Sequence, residues 1–414
     1  MKVLLVRPDY PNGSNNNKYG NGKLHHKYFP IGILKMSTYF KKKGDTVDLV
    51  IGNKIPKFTP DTIYITSLFT YWRKFLEETI MFYRFIFPES EIVVGGVDAS
   101  LNPKEIEKLN VKVHKGRFKE AEDVMPDYSY FEEEIDFQVI HTTRSCIRRC
   151  NFCGTYIIDG PEFTYKNTQE IEREIFKNKI TFYDNNLLAN PNIKHILNML
   201  ANKKVNGRVI RQVESKSGFD ARLLTKDHEE TIAMGGNEKD TLAFLLKKAR
   251  FICPRIAWDN WLSEEQVVKK AIELLIKSGY ERKNIVVFMI YNYDLPFSKM
   301  EYKRKQCANW GVQISDCRFR PLNAIYDNYN PRKSQTSNDY YIHSNWSDNL
   351  IKEFRRRVRG QNIMNRYLAK DRPLILDKFR EYSVPEVVLK EYCQKNFWRE
   401  NSLDVIHKPL DFKV

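Results

Sequence analysis

Residues 142–154 read TTRSCIRRCNFCG, and the rest of the chain is best interpreted outward from this stretch. It places Cys146, Cys150 and Cys153 in the spacing C-x-x-x-C-x-x-C, so three of the seven cysteines in 414 residues fall within eight positions. Thiolates bind soft metals, and iron–sulfur clusters are held by several cysteines on a short loop. The spacing therefore predicts a metal centre. A four-iron cluster held by only three thiolates would keep one iron open for another ligand.

Two other interpretations of these cysteines stay open. Structural zinc takes four ligands in closed tetrahedral geometry, usually from two C-x-x-C pairs or from added histidines. The nearest histidine is His141, five residues upstream, and the sequence contains no second pair. The thiols could also be buried and inert, but the adjacent Arg148 and Arg149 favour stabilised thiolates.

Apolar runs alternate with helical patterns on both sides of the loop, which predicts an α/β protein. Residues 137–328 contain six such units of similar length, typical of a partial (β/α)6 TIM barrel. The cysteines follow its first strand, in a βα loop, where barrels place their active-site residues. The six predicted strands are FQVIHTT (137–143), ITFYD (180–184), VIRQVES (209–215), FICPRIAW (251–258), NIVVFMIY (284–291) and VQISDCRFRP (312–321).

Residues 1–122 form an earlier series of the same kind and predict a doubly wound, Rossmann-like parallel sheet. The acidic, turn-rich residues 123–136 are predicted to be a linker, and residues 329–414 a mostly helical extension. The strands predicted for the first domain are KVLLV (2–6), TVDLVI (46–51), TIYITS (62–67), EIVVGG (91–96) and VKVHKG (111–116).

Composition narrows the partners and the cellular compartment that we expect for this chain. The net charge of +16 predicts an anionic partner such as nucleic acid, unless it reflects only a solvated lysine-rich surface. No apolar run reaches the roughly 18 residues that a membrane helix needs. The start MKVLLVRPDY has too short an apolar core for a signal peptide, and the odd number of scattered cysteines argues against disulfides. These features predict a cytoplasmic protein.

The cysteine motif resembles that of the radical S-adenosylmethionine (SAM) superfamily, including the aromatic Phe152 before the third cysteine. The resemblance implies that Cys146, Cys150 and Cys153 ligate a 4Fe-4S cluster, that SAM binds the open iron, and that Phe152 lies near the adenine. Reductive cleavage of SAM would yield a 5′-deoxyadenosyl radical, with a flavodoxin or a ferredoxin as the reductant.

Polar residues at the ends of the later strands match further positions of the superfamily. The resemblance implies that Asp184 and Asn185, with Asn186, receive the amino group of SAM. It also implies that Glu214 and Ser215 bind its ribose or carboxylate, and that Arg222 neutralises that carboxylate. Asp259 and Arg320 end the fourth and sixth strands. An Asx turn, helix caps and surface ion pairs are the alternative roles for these residues.

The first domain resembles the cobalamin-binding-like domain of a large subgroup, on VLLVRPDYP, FPIGILKMSTYFKKKG, TSLFTYW and FPESEIVVGGVDASL. The resemblance implies that Ser67, Gly95 and Gly96 contact a cobalamin tail. The D-x-H-x-x-G motif of the wider cobalamin family is missing, and His25 and His26 lie in an Asn-rich loop instead. Cobalamin is thus a candidate cofactor, and a degenerate domain is the alternative.

Together these features predict a radical SAM enzyme with a 4Fe-4S cluster, acting in methylation or another transformation at an unactivated carbon. One alternative is a radical SAM enzyme that modifies RNA. Another, of a different class, is a zinc-stabilised nucleic-acid-binding protein. Cys307, Cys317 and Cys393 are widely and irregularly spaced, which favours ordinary thiols over a second metal site. The sequence does not specify the substrate.

Overall fold

The computed structural model describes residues 1–11, 29–131, 135–259 and 262–381. His25, His26 and Cys393 lie outside these residues, as do most of the Asn-rich loop and the end of the predicted extension. The α/β class predicted from the sequence is confirmed.

The first part of the chain, predicted to be the first domain, contains a five-stranded, all-parallel sheet with the order β2-β1-β3-β4-β5. The order reverses direction between β1 and β3, as in doubly wound sheets. The strands are β1 (Lys2–Arg7), β2 (Thr46–Ile51), β3 (Thr62–Ser67), β4 (Glu91–Gly96) and β5 (Lys112–Val113). The helices are α1 (Ile31–Lys42), α2 (Arg73–Ile86), α3 (Val97–Leu101) and α4 (Pro103–Glu107).

Strand β1 shows why this sheet is covered on both faces. Its residues 3–6 are apolar and fully buried, and successive side chains of a strand point to opposite faces. Val3 and Leu5 belong to one core cluster with residues of α1, whereas Leu4 and Val6 belong to a second cluster with residues of α2. The unbroken apolar run therefore buries one half of its side chains on each face.

The backbone conformation at position 96, at the end of β4, requires a glycine. Its φ is +96°, and a Cβ at this position would overlap the carbonyl oxygen of Ser67 on the neighbouring strand. We therefore expect Gly96→Ala to lower the free energy of unfolding by about 3 kcal/mol, because backbone strain and overlap with a rigid carbonyl add together. Gly32→Ala is the matched control. Gly32 lies in helix α1, and a Cβ added there would have no atom within 4 Å. Urea unfolding measures both variants, and equal stabilities would contradict the role of Gly96.

The second half of the chain contains six further parallel strands in two three-stranded sheets, with the orders β6-β9-β12 and β13-β14-β15. Single bridges from Val213 to Phe251 and from Phe219 to Ile256 connect the facing edges of the two sheets. These strands are β6 (Gln138–Ile140), β9 (Lys179–Phe182), β12 (Gln212–Ser215), β13 (Arg255–Ala257), β14 (Val286–Tyr291) and β15 (Gln313–Arg318). Two antiparallel pairs join β7 (Thr143–Arg144) to β8 (Thr164–Tyr165) and β10 (Lys204–Val205) to β11 (Arg208–Val209).

Helices follow the strands of this half, and all of them except the short first one share one apolar core with the strands. They are α5 (Thr155–Ile158), α6 (Thr168–Glu174), α7 (Ile193–Asn202), α8 (Ala221–Ala233), α9 (Leu242–Lys248), α10 (Glu265–Lys277), α11 (Phe297–Trp310) and α12 (Asp348–Glu381). Helix α12 covers β15, because the side chain of Asn362 exchanges hydrogen bonds of 2.7 and 2.8 Å with the backbone of Ile314. None of the described helices combines the length and the apolar content of a membrane span.

Several predicted strands are longer than the observed ones, and two of them differ for clear local reasons. The predicted strand 251–258 is reduced to β13, because Cys253 has a φ of +47° and cannot continue an extended ladder. The predicted strand 209–215 is divided between β11 and β12. Residues 206 and 207 are Asn-Gly with φ values of +50° and +75°, and they form the tight turn of the β10–β11 hairpin.

Candidate functional site

The cysteine loop begins directly after β7 and is tied at its base. Ser145 has a φ of +61°. Its backbone N–H donates to Oδ2 of Asp159 (3.0 Å), and its hydroxyl donates to the carbonyl of Gly160 (2.7 Å). Within the loop, the N–H of Cys153 donates to the carbonyl of Cys150 (3.0 Å). These bonds close residues 145–160 into a compact turn that brings its thiols to one side.

Asp184 anchors the same loop from the end of β9. Its Oδ1 accepts four hydrogen bonds of 2.6–2.9 Å, from the backbone N–H and the hydroxyl of both Thr142 and Thr143. The carboxyl is 1% exposed. Burial raises its pKa, while the hydrogen bonds from the two threonines act in the opposite direction. The residue that the resemblance assigns to SAM thus holds the entrance of the cysteine loop through one of its oxygens.

The three thiols line one cavity at the carboxyl ends of the parallel strands. Burial raises the pKa of Cys150 to about 11, helped by the nearby Cys153, Asp259 and Cys146. Among the described residues, no three His, Cys, Asp or Glu side chains stand in a preformed metal-binding arrangement. Metal binding and the organisation of its ligands are commonly coupled, so a loop of three partly buried thiols is a fitting donor set for an iron–sulfur cluster.

Four other predicted residues line the same cavity: Phe152, Asn185, Arg222 and Asp259. Asn186 lines it as well. Its amide oxygen is buried and has no hydrogen-bond partner in the part of the chain that the structure describes. Buried polar groups are normally paired, so an unpaired oxygen in a cavity wall indicates a place for a donor from a ligand. The cavity therefore combines three soft metal ligands with an amide acceptor and a cation.

Arg222 is held in the cavity wall by acidic neighbours. Its Nε lies 2.8 Å from Oδ1 of Asp220, and its Nη1 lies 3.5 Å from Glu264. Arg148, from the cysteine loop, contacts the other oxygen of Asp220 at 2.8 Å. Burial raises the pKa of Asp220, but the two arginines outweigh it and hold that pKa below its usual value. Arg148 thus connects the cysteine loop to the start of helix α8. The neighbouring Arg149 instead donates a hydrogen bond to the carbonyl of Pro161.

Glu214 and Ser215 lie at the end of β12 but do not line this cavity. Glu214 is 1% exposed and pairs with Arg255 (2.6 Å) and Lys216 (3.2 Å). The hydroxyl of Ser215 donates to the carbonyl of Ser217 (3.3 Å). The hydroxyl of Ser215 and Oε1 of Glu214 are therefore engaged within the protein, whereas Oε2 of Glu214 is buried and has no hydrogen-bond partner among the described residues.

The remaining predicted residues lie elsewhere. Arg320 pairs with Asp327 and lies over the ring of Tyr71, 4.6 Å from its centroid. Ser67, Gly95 and Gly96 are at the carboxyl edge of the first sheet. The hydroxyl of Ser67 donates to the Gly95 carbonyl (2.7 Å) and accepts from the N–H of Ala99 (3.0 Å).

Asp159 and Asp220 are among the residues of the site that the sequence interpretation missed. Besides Ser145, Asp159 accepts a hydrogen bond from the side-chain amide of Asn185 (2.9 Å) and so links the cysteine loop to the loop after β9. Asp220 caps helix α8 by accepting from the N–H of Arg222 (3.1 Å). An aspartate before a helical segment is a recognisable N-cap signal, but its bond to Arg148 joins residues 72 positions apart and has no local signal.

Comparison with known proteins finds solved structures that share the fold of this α/β chain. No protein-family model and no curated protein matches the chain. The solved structure of the radical SAM methyltransferase TsrM from Kitasatospora setae, with tryptophan substrate and a SAM analogue bound, matches 78% of this chain and 74% of its own. Its TM-score is 0.57 and the identity is 12%. The cobalamin-dependent SAM radical enzyme OxsB, with aqua-cobalamin bound, covers 88% of this chain and 56% of its own, with a TM-score of 0.38 and 12% identity. The likeness to TsrM is one of fold.

Proposed function

We propose that the protein is a radical SAM enzyme whose 4Fe-4S cluster is held by Cys146, Cys150 and Cys153. The observation that carries the proposal is the placement of all three thiols in one cavity with Arg222 and the unpaired amide oxygen of Asn186. In the proposed architecture the six parallel strands of the second half form a partial barrel around this cavity. The shared fold with TsrM supports the same class of chemistry and is consistent with methylation or another transformation at an unactivated carbon.

Different residues of the cavity would bind different groups of SAM. Asn186, with Asn185, offers amide oxygens to an amino group, and Arg222 offers a guanidinium to a carboxylate. Phe152 supplies an aromatic wall for a nucleobase and meets the ring of Tyr293 edge to face, with centroids 6.1 Å apart. When bound, the cluster and SAM together supply one-electron cleavage to a 5′-deoxyadenosyl radical. The protein orients the ligand and excludes water.

Metal analysis of anaerobic protein tests this proposal directly. We expect the reconstituted chain to contain about four iron atoms and four sulfides, the content of one 4Fe-4S cluster, and to release 5′-deoxyadenosine when reduced with SAM. Zinc without iron or sulfide would instead identify the zinc-stabilised nucleic-acid-binding alternative.

RNA modification remains an alternative within the same chemistry. The net charge of +16 is its support. The basic run EFRRRVRG at residues 353–360 supports this alternative only weakly, because two of its arginines are paired with glutamates. Arg356 pairs with Glu353, and Arg357 pairs with Glu301 (2.8 Å). Salt-dependent binding of tRNA would favour this alternative, and no binding at low salt would exclude recruitment by charge.

A further inference from the structure

The first sheet has one place where a doubly wound domain binds its ligand. Ligands of such sheets sit in the crevice outside the carboxyl ends of the strands, where the strand order reverses. That point lies between β1 and β3, because α1 covers one face of the sheet and α2 covers the other. Residues 8–11 after β1 and the segment after β3 line this crevice.

Tyr10 bridges those two walls. It follows β1, is 2% exposed, and donates a hydrogen bond from its hydroxyl to the carbonyl of Thr66 on β3 (3.0 Å). Its ring stacks on Trp72, with centroids 5.5 Å apart, and meets Phe75 edge to face at 6.3 Å. An aromatic side chain of this size fills the crevice where a ligand would enter.

The next gap along the edge, between β3 and β4, is also closed. Ser67 and Gly96 touch backbone to backbone, and the Ser67 hydroxyl is used twice, by Gly95 and by Ala99. Beyond them, Arg73 makes two hydrogen bonds of 2.6 and 2.9 Å to the carboxylate of Asp98, and both side chains are buried. The residues implied in holding a cobalamin tail therefore bind one another.

The outer side of this edge packs on the cysteine loop. A Cβ on Gly154, the residue after Cys153, would lie 2.9 Å from the side chain of Leu101 in α3. Asn102 donates to the carbonyl of Leu322 (3.3 Å), and Arg117 donates to the carbonyl of Asp159 (3.1 Å). The edge that would accept a ligand in a cobalamin domain is thus occupied by the second half of the same chain.

We infer that the first domain binds no cobalamin and that its closed carboxyl edge serves instead to position the cysteine loop. Cobalamin does not fit the residues present, because its tail would have to displace Tyr10 and separate Ser67 from Gly96. The proposed radical chemistry in the second half does not depend on this inference.

Cobalt analysis of the full-length protein tests the first part. Anaerobically reconstituted protein is incubated with hydroxocobalamin and desalted, and a cooperative thermal transition shows that the sample is folded. We expect cobalt far below one atom per chain. Cobalt near one atom per chain after desalting would overturn the inference. The iron content of the same sample tests the proposed function separately.

A tyrosine variant tests whether the closed crevice is part of the folded core. Tyr10→Ala is expected to lower the midpoint of thermal unfolding by several degrees, as the loss of a buried aromatic ring does. Phe85→Ala, which removes a side chain that is 86% exposed in the same domain, should leave the midpoint unchanged. Equal midpoints for the two variants would show that Tyr10 is dispensable to the fold and would overturn the inference.

Thiol labelling tests the positioning role without requiring a cluster. In apo-protein, Leu101→Ala should make Cys150 and Cys153 react with iodoacetamide several-fold faster than in the wild type, because the loop loses its support. Leu109→Ala, a loss of the same size away from this contact, should leave the rates unchanged, and the fully buried Cys307 serves as an internal reference. Unchanged rates in Leu101→Ala would overturn the positioning role.

Discussion

Replacing Cys150 by serine is expected to remove the iron–sulfur cluster and to lower SAM cleavage by a factor on the order of a thousand or more. A serine hydroxyl is a poor ligand for iron, and two thiolates on the loop cannot hold a four-iron cluster in place. Serine is nearly the same size as cysteine, and Cys150 is only half-buried, so the loop should keep its fold. Iron and sulfide content, with 5′-deoxyadenosine release under reducing conditions, measures the effect.

Cys317→Ser is the matched control for that result. Cys317 is a free, exposed cysteine at the end of β15, and it does not line the cavity of the three thiols. We expect this variant to keep the full iron content. If Cys150→Ser retained its iron and still cleaved SAM, the assignment of the three cysteines as cluster ligands would be wrong.

The general outline of this site could be predicted because its signals are local. The spacing of Cys146, Cys150 and Cys153 is visible within eight residues, and the apolar runs beside them show that a parallel strand precedes the loop. Since βα loops of parallel strands gather at one edge, the sequence also predicts which later loops lie near the cysteines. Asn185, Arg222 and Asp259 all line the cavity for that reason.

The exact use of each polar residue could not be predicted, because it depends on partners distant in the chain. Oε1 of Glu214, for example, is paired with Arg255, which lies 41 residues later in the chain. The same holds for the first domain. Its glycines and its strand order match a ligand-binding outline, but the contact of Tyr10 with Thr66 spans 56 residues and closes the crevice. Short motifs indicate which residues lie at the carboxyl edge of a sheet. Only the packing of residues distant in the chain shows whether a ligand has space there.

Asp184 provides the strongest expected effect on stability. Asp184→Ala would leave the N–H and hydroxyl groups of Thr142 and Thr143 without their shared acceptor, at a position that is almost fully buried. Each buried donor left unsatisfied costs about 1–3 kcal/mol, partly recovered where water enters. We therefore expect a loss of about 4 kcal/mol in the free energy of unfolding, in the range of broken buried networks. Urea unfolding of the apo-protein gives the value.

The same substitution should loosen the cysteine loop, because Thr142 and Thr143 lead directly into it. Asp184→Asn keeps an acceptor oxygen for the two threonines, so it should lose much less stability and keep the slow labelling of Cys146 by iodoacetamide. Asp240→Ala, at an exposed position, is the control for loss of an aspartate. If the alanine variant matched that control in both stability and labelling, Asp184 would not anchor the loop. A direct role in binding SAM, as the resemblance implies, would then be the better account of Asp184 and its neighbours Asn185 and Asn186 after β9.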